Sequence, residues 1–327
     1  MNRRSAILSW AAVLGLTGIG AGVGARLWQR RRRAAARPAP LPQMDQAEFD
    51  AAFAPLTPPE GPLDLFHLGH SLVGTAIPAM LAQLVQGHRY GAQLGWGTTL
   101  KNHWLGPDEI AGYEAINLPP DARDAKQAIA AGSHDALVLT EMVELKDAIK
   151  WFSSSHYLAE WARLARQGRP DIRLYLYETW HRLDDPAGWL ERIDSDSSTL
   201  WRDELLRRAM SDPAVGTIYR IPGGPAMAAV VRAAEAGQVP GLGKREALFA
   251  RADDGSQDMI HLGDLGAYVV ALTHYAVLYH QNPEGLPHRL RKPDGQMAEA
   301  FSDDGALAVQ RIVRDVVRAD PLTGLAI

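Results

Sequence analysis

Between residues 63 and 320 of this 327-residue chain, short apolar runs alternate with stretches whose apolar residues recur every three or four positions. The first run, Leu65-Phe66-His67-Leu68-Gly69-His70-Ser71-Leu72, stops abruptly at Gly-His-Ser. Helical spacing then begins, with Ile77, Met80, Leu81, Leu84 and Val85 on one face. Further strands are predicted over 89–97, 135–140, 171–179 and 218–221. Helices are predicted over 157–166, 189–210, 226–236, 265–279 and 305–318, with 265–279 apolar on most sides and therefore a core element. Alternation of this kind predicts an α/β domain with a parallel sheet covered by helices on both faces. In such sheets a ligand sits beyond the carboxyl ends of the strands, so each strand-to-loop junction is a candidate site.

The amino-terminal pattern is different. Residues 5–25 are almost uninterruptedly apolar and lie between Arg3-Arg4 and a second cluster, Arg26 and Arg30 to Arg33. The length suits one membrane-spanning helix, and the flanking arginines oppose burial in a globular core. Residues 1–33 are read as a signal anchor or transmembrane segment. Residues 34–62, rich in Pro and Ala with a short helical patch at 45–53, are read as a spacer. Residues 63–282 form the main domain, and 283–327 a carboxyl-terminal extension with one helix. The expected location is a bacterial inner membrane, with the main domain on the periplasmic side.

Charge and composition narrow the chemistry. Eight arginines and no acidic residue fall in the first 37 residues, so a net charge of −4 leaves −12 for the remainder. An acidic remainder argues against a nucleic-acid partner. The chain has no cysteine, which excludes disulfides, thiolate metal sites and cysteine nucleophiles.

Ser71 is expected at the end of a strand and beside a helix N-terminus. There it either caps the helix or serves as a nucleophile, with free backbone N–H groups near the developing charge. Late in the chain, Asp258-Met259-Ile260-His261 places a carboxylate three residues before a histidine, a spacing that lets the acid orient the imidazole as a general base. Gly95-Trp96-Gly97-Thr98-Thr99 follows the second strand.

These three blocks resemble the SGNH (GDSL-type) hydrolases over about residues 63–281, with His70 in place of the usual Asp before the serine. The resemblance implies a three-layer αβα fold of flavodoxin-like type with a five-stranded parallel sheet. It implies a serine esterase or acyltransferase that needs no cofactor, with Ser71, Asp258 and His261 as the triad. The oxyanion would be held by the backbone N–H groups of Ser71 and of Gly97, Gly95 being the alternative. The family's Gly-x-Asn-Asp block is missing, and counting from Asp135 puts Glu144 where its Asn would stand. An ionised carboxylate there cannot donate a hydrogen bond.

A further junction, Tyr177-Glu178-Thr179-Trp180-His181, closes the fourth strand. Glu144, Glu178, Trp180 and His181 are the candidate substrate-binding residues, with Trp96, His103 and Trp104 adding to an aromatic surface for a sugar. His67 and His70 fall on opposite faces of a strand, so no metal site is expected. The leading reading is an exported serine esterase acting on O-acyl, in particular O-acetyl, esters of carbohydrate. An O-acyltransferase using the same triad and a catalytically silent carbohydrate-binding or scaffold module are the alternatives.

Overall fold

A computed structural model describes residues 38–252 and 254–326. The expected anchor at 1–33 lies outside them. Among the described residues no helix is long and apolar enough to cross a membrane.

Five parallel strands form the central sheet: β1 Asp64–His70, β2 Arg89–Gly95, β3 Ala136–Leu139, β4 Arg173–Glu178 and β5 Tyr219–Pro222, in the order β2-β1-β3-β4-β5. Strand side chains alternate between the two faces of the sheet. Leu65, Val138, Tyr177 and Ile221 enter one core, which the helices Gly223–Glu235, Asp264–Tyr279 and Asp303–Ala319 complete. Phe66, Leu68, Leu137, Leu139, Leu174 and Leu176 enter the other, against the helix Ser154–Gly168. Both faces are thus buried, which explains why the strands read as continuous apolar runs rather than alternating ones. The chain leaves β1 for β2 on one side and returns to β3 on the other. The carboxyl end of β1 is therefore the topological switch point, where open α/β sheets hold their ligands.

Every residue from Leu265 to Tyr279 is buried, as the all-round apolar pattern of that helix requires. The helix expected over 189–210 is interrupted. It runs as α-helix over Trp189–Asp196, widens to a π-helix over Ser197–Leu206 and closes as α-helix over Arg207–Ala209. A two-stranded antiparallel ribbon, β6 Phe249–Arg251 with β7 Gln257–Leu262, lies apart from the main sheet.

The boundaries drawn from sequence shift at both ends, because residues 40–327 form one compact unit. The proline-rich segment is held along the domain: Met44 N–H donates to Arg207 O, and the Tyr219 hydroxyl donates to Ala54 O. Phe49 is fully buried in the second core, and Phe53 packs edge-on against Phe49 and Tyr219. Two phenylalanines outweigh the spacer-like composition around them. The carboxyl-terminal helix Asp303–Ala319 likewise buries Val309, Val313 and Val317 in the first core. Phe49→Ala should destabilise the full chain by about 3 kcal/mol or more, since a fully buried aromatic is lost. Urea unfolding measures this, and a change under about 0.5 kcal/mol would show that the segment lies passively on the surface.

Candidate functional site

Ser71 follows the last residue of β1. Val73 N–H and Gly74 N–H both turn back to His70 O, at 2.9 and 3.4 Å, so the chain folds sharply around the serine before the helix Ala76–Leu84. Gly69 permits this turn. A Cβ there would lie 2.4 Å from Thr140 Cγ2 and 2.9 Å from Val73 Cγ2, so no side chain fits without displacing one of them.

His261 comes to Ser71 from 190 residues away, on β7. Its Nε2 lies 3.0 Å from Ser71 Oγ, and its Nδ1 lies 2.9 Å from Asp258 Oδ2. A carboxylate only accepts, so Nδ1 carries the proton and Nε2 offers its lone pair to the serine hydroxyl. Asp258 is itself anchored, its Oδ1 accepting the N–H groups of Ile260 and His261 at 2.8 Å each. Burial pushes the Asp258 carboxyl up, but those two N–H donors and the imidazole outweigh it and hold the group below the usual carboxylate range. The three residues that the spacing and the family resemblance together singled out are thus joined in one hydrogen-bonded chain. The strand that carries Asp258 and His261 was not expected; the residues of β7 are all half-buried, so it lacks the fully buried run that marks β1 and β3.

Two further histidines hold the Ser71 turn, a role that the sequence does not disclose. His70 Nε2 lies 2.8 Å from Glu141 O, and Nδ1 accepts Leu72 N–H at 3.3 Å. His103 Nε2 lies 2.7 Å from Gly69 O, while its Nδ1 lies 2.9 Å from Gln93 Nε2. In each ring Nε2 faces a carbonyl and Nδ1 faces a donor, which defines the neutral Nε2–H tautomer. Burial lowers both to about 4, so both stay neutral at ordinary pH.

The oxyanion side departs from the sequence count. β1 and β3 end in register at Leu68 with Leu139, and counting on sets Met142 level with Ser71, not Glu144. Met142 has no side-chain N–H. Glu144 turns elsewhere: it caps the helix Leu145–Phe152 through Lys146 N–H and takes two hydrogen bonds from Arg192 Nη2, at 2.8 and 2.9 Å. Gly97 lies two residues beyond Gly95, which is in register with His70, so it follows the carboxyl end of β2 as Ser71 follows that of β1. Its φ of +53° is a conformation that glycine adopts without strain.

Glu178, Trp180 and His181 are all buried, which removes them from any ligand-facing surface. Glu178 pairs with Arg220 at 3.2 Å, and Trp180 Nε1 donates to Ile260 O at 2.8 Å. His181 Nε2 lies 3.0 Å from Asp196 Oδ2. His103 is buried as well, and Trp104 packs edge-on against Trp161. Trp96 alone of the expected aromatic surface is open, at 57% exposure. These strand-end residues serve the packing beneath the triad, and Trp180 braces the strand that carries His261.

Among the described residues, Glu144, His181 and Asp196 bring three ligand atoms close enough to share a cation. Arg192 Nη2 already donates to both Glu144 and Asp196 at 2.8 Å, so a guanidinium supplies the positive charge there.

Comparison with known proteins adds the fold. A solved structure of a DUF4886 family protein from Bacteroides uniformis superposes with a TM-score of 0.52 at 17% identity, covering 81% of this chain and 99% of that one. No family model matches the chain, and no curated protein does.

Glu141 is fully buried beside the site, accepting Met142 N–H at 2.8 Å and Leu100 N–H at 3.3 Å. Burial outweighs these bonds and pushes its carboxyl from the ordinary 4.5 up to about 7. Between those values the folded chain keeps a proton that the unfolded chain has released. This contribution to stability is complete below about 4.5 and is lost as pH rises through about 7. Glu178 titrates in the same window, burial outweighing Arg220. Glu141→Gln should therefore flatten, without abolishing, the fall in stability over this range. Urea unfolding at several pH values tests it, and an unchanged slope would mean that Glu141 does not hold its proton.

Proposed function

We propose that this protein is a serine ester hydrolase of the SGNH type. The observation that carries the reading is the chain Ser71 Oγ–His261–Asp258, with links of 3.0 and 2.9 Å, at the switch point of the sheet. His261 Nε2 takes the Ser71 proton as Oγ bonds to the ester carbonyl carbon. The resulting oxyanion points to the backbone N–H groups of Ser71 and Gly97. His261, now charged and facing Asp258, gives its proton to the departing alkoxide, leaving an acyl-serine and a free alcohol. Water then enters, His261 takes its proton, and the acyl group leaves as a carboxylic acid while Oγ regains its hydrogen.

The same geometry weighs against a silent module, since a scaffold has no need of an imidazole aligned between a serine and an anchored carboxylate. The arginine-flanked apolar stretch at 5–25 supports attachment of this domain to a membrane; arginines on both flanks leave its orientation open, and the proposed side is the outer one. In spheroplasts, protease added outside should digest the chain beyond residue 43; digestion only after lysis would place the domain in the cytoplasm.

A fluorophosphonate probe should label the full-length chain once, on Ser71, as read by peptide mass spectrometry. His261→Ala should abolish labelling and reduce ester turnover by roughly 10³-fold or more. Absence of an adduct, under conditions where a control serine esterase reacts fully, would overturn the hydrolase reading.

A further inference from the structure

A cavity of about 600 Å³ opens beside the Ser71 turn, along the outer edge of β2. Its volume lies within the roughly 300–1,000 Å³ of small-molecule sites. Its floor is the row Tyr90, Ala92 and Leu94, the side chains that one face of β2 presents. Gly74 lines it from the nucleophile's own turn, and Trp96, next to Gly97, stands at its end. Leu118 closes the outer side, from a segment that covers the sheet edge. That segment is held by the Asn117 side chain, which bonds both Leu94 N–H and Leu94 O, at 2.8 and 2.7 Å.

Two properties show what it takes. First, the polar side chains along its β2 wall are engaged: the Asn117 amide is spent on Leu94 and Tyr113 O, and the Tyr90 hydroxyl bonds the Asp121 carboxylate, which leaves Thr75 and Asp294 as the polar groups at its rim. A ligand dense in hydroxyls finds few partners there. Second, two of the exposed large apolar side chains of the described residues, Trp96 at 57% and Leu118 at 62%, border this one cavity. Exposed apolar side chains gathered around a concavity mark a ligand groove.

The direction of entry follows from the triad. The leaving oxygen must point to His261 Nε2, which receives and returns the proton. His261 stands on β7, and β7 is braced by Trp180 and Leu183, from the segment after β4. The cavity lies along β2, at the opposite side of β1 in the sheet order. With the alcohol side directed to His261, the acyl side faces the groove.

We propose that this groove holds the acyl chain of the ester, and that the substrate is an ester of a medium or long aliphatic acid rather than an acetyl ester. The proposal rests on the serine-hydrolase reading. The test is turnover of p-nitrophenyl acetate, butyrate and octanoate by the full-length chain. A buried methylene contributes up to about fourfold, so kcat/KM should rise at least tenfold from acetate to octanoate. In Leu118→Glu the octanoate-to-acetate ratio should fall at least fivefold, and in Trp151→Ala, outside the groove, it should not change. An octanoate-to-acetate ratio at or below one, or an unaltered ratio in Leu118→Glu, overturns the proposal.

A second measurement does not need turnover. An octanoyl ester carrying a diazirine on the acyl chain, irradiated with the Ser71→Ala chain, should crosslink to peptides holding Trp96 or Leu118. Turnover of the esters with crosslinks elsewhere overturns the groove and leaves the hydrolase. Crosslinks at Trp96 or Leu118 with no turnover and no Ser71 adduct overturn the hydrolase and leave a groove for apolar chains.

Discussion

One distance organises this domain: the 3.0 Å between Ser71 Oγ and His261 Nε2. A hydrogen bond weakens steeply once its geometry is lost, and here its two ends belong to elements 190 residues apart. Neither end rests on a flexible loop alone. Ser71 is carried by the central β1, locked between β2 and β3 by ladders on both sides. His261 is carried by a ribbon that owes its position to the segment following β4. Leu183 N–H donates to Met259 O at 2.7 Å, and Trp180 Nε1 donates to Ile260 O at 2.8 Å. The two backbone carbonyls just before the histidine are thus both held from the same side.

That bracing segment is secured in turn by buried charge. Arg192, 8% exposed, bonds Glu144 after β3, Asp185 after β4 and Asp196 on its own helix. Burying so many charges adds little net stability, because desolvation offsets most of the attraction. Its effect is positional. Loops from two neighbouring strands are tied to one guanidinium, and removal of Arg192 would leave the largely buried Asp185 and the buried Asp196 without it, a cost of several kcal/mol. Glu144 is therefore read better as part of the frame than as part of the reaction.

Much of this was legible in the chain, and the reasons are specific. β1, β3 and β4 are buried on both faces, so each appears as a largely apolar run. The helix Asp264–Tyr279 shows itself by being apolar all round. Ser71, Asp258 and His261 were legible because each sits in a short block whose spacing has a chemical meaning. What stayed hidden depends on tertiary neighbours. The ribbon strand β7 is half-buried and polar, so no periodicity marks it. Glu178, Trp180 and His181 look like ligand groups at a strand end, and nothing local reveals that Arg220, Ile260 and Asp196 already occupy them. Phe49 could not be told from a spacer residue, because the surface that receives it comes from residues more than a hundred positions later.

The histidine that precedes Ser71 has a consistent physical account. The partner facing position 70 is a carbonyl, Glu141 O. An ionised aspartate has no proton to give it and would repel it. A neutral Nε2–H imidazole donates to that carbonyl and still accepts Leu72 N–H through Nδ1, so one ring satisfies both sides of the turn. The ring also bears on the electrostatics. With His70 and His103 both neutral, the negative charge hydrogen-bonded to the His261 imidazole is that of Asp258 alone. In the serine-hydrolase reading proposed above, an anionic residue at position 70 would stabilise the imidazolium but would equally oppose an oxyanion over Ser71. The neutral ring gives up the first effect and avoids the second.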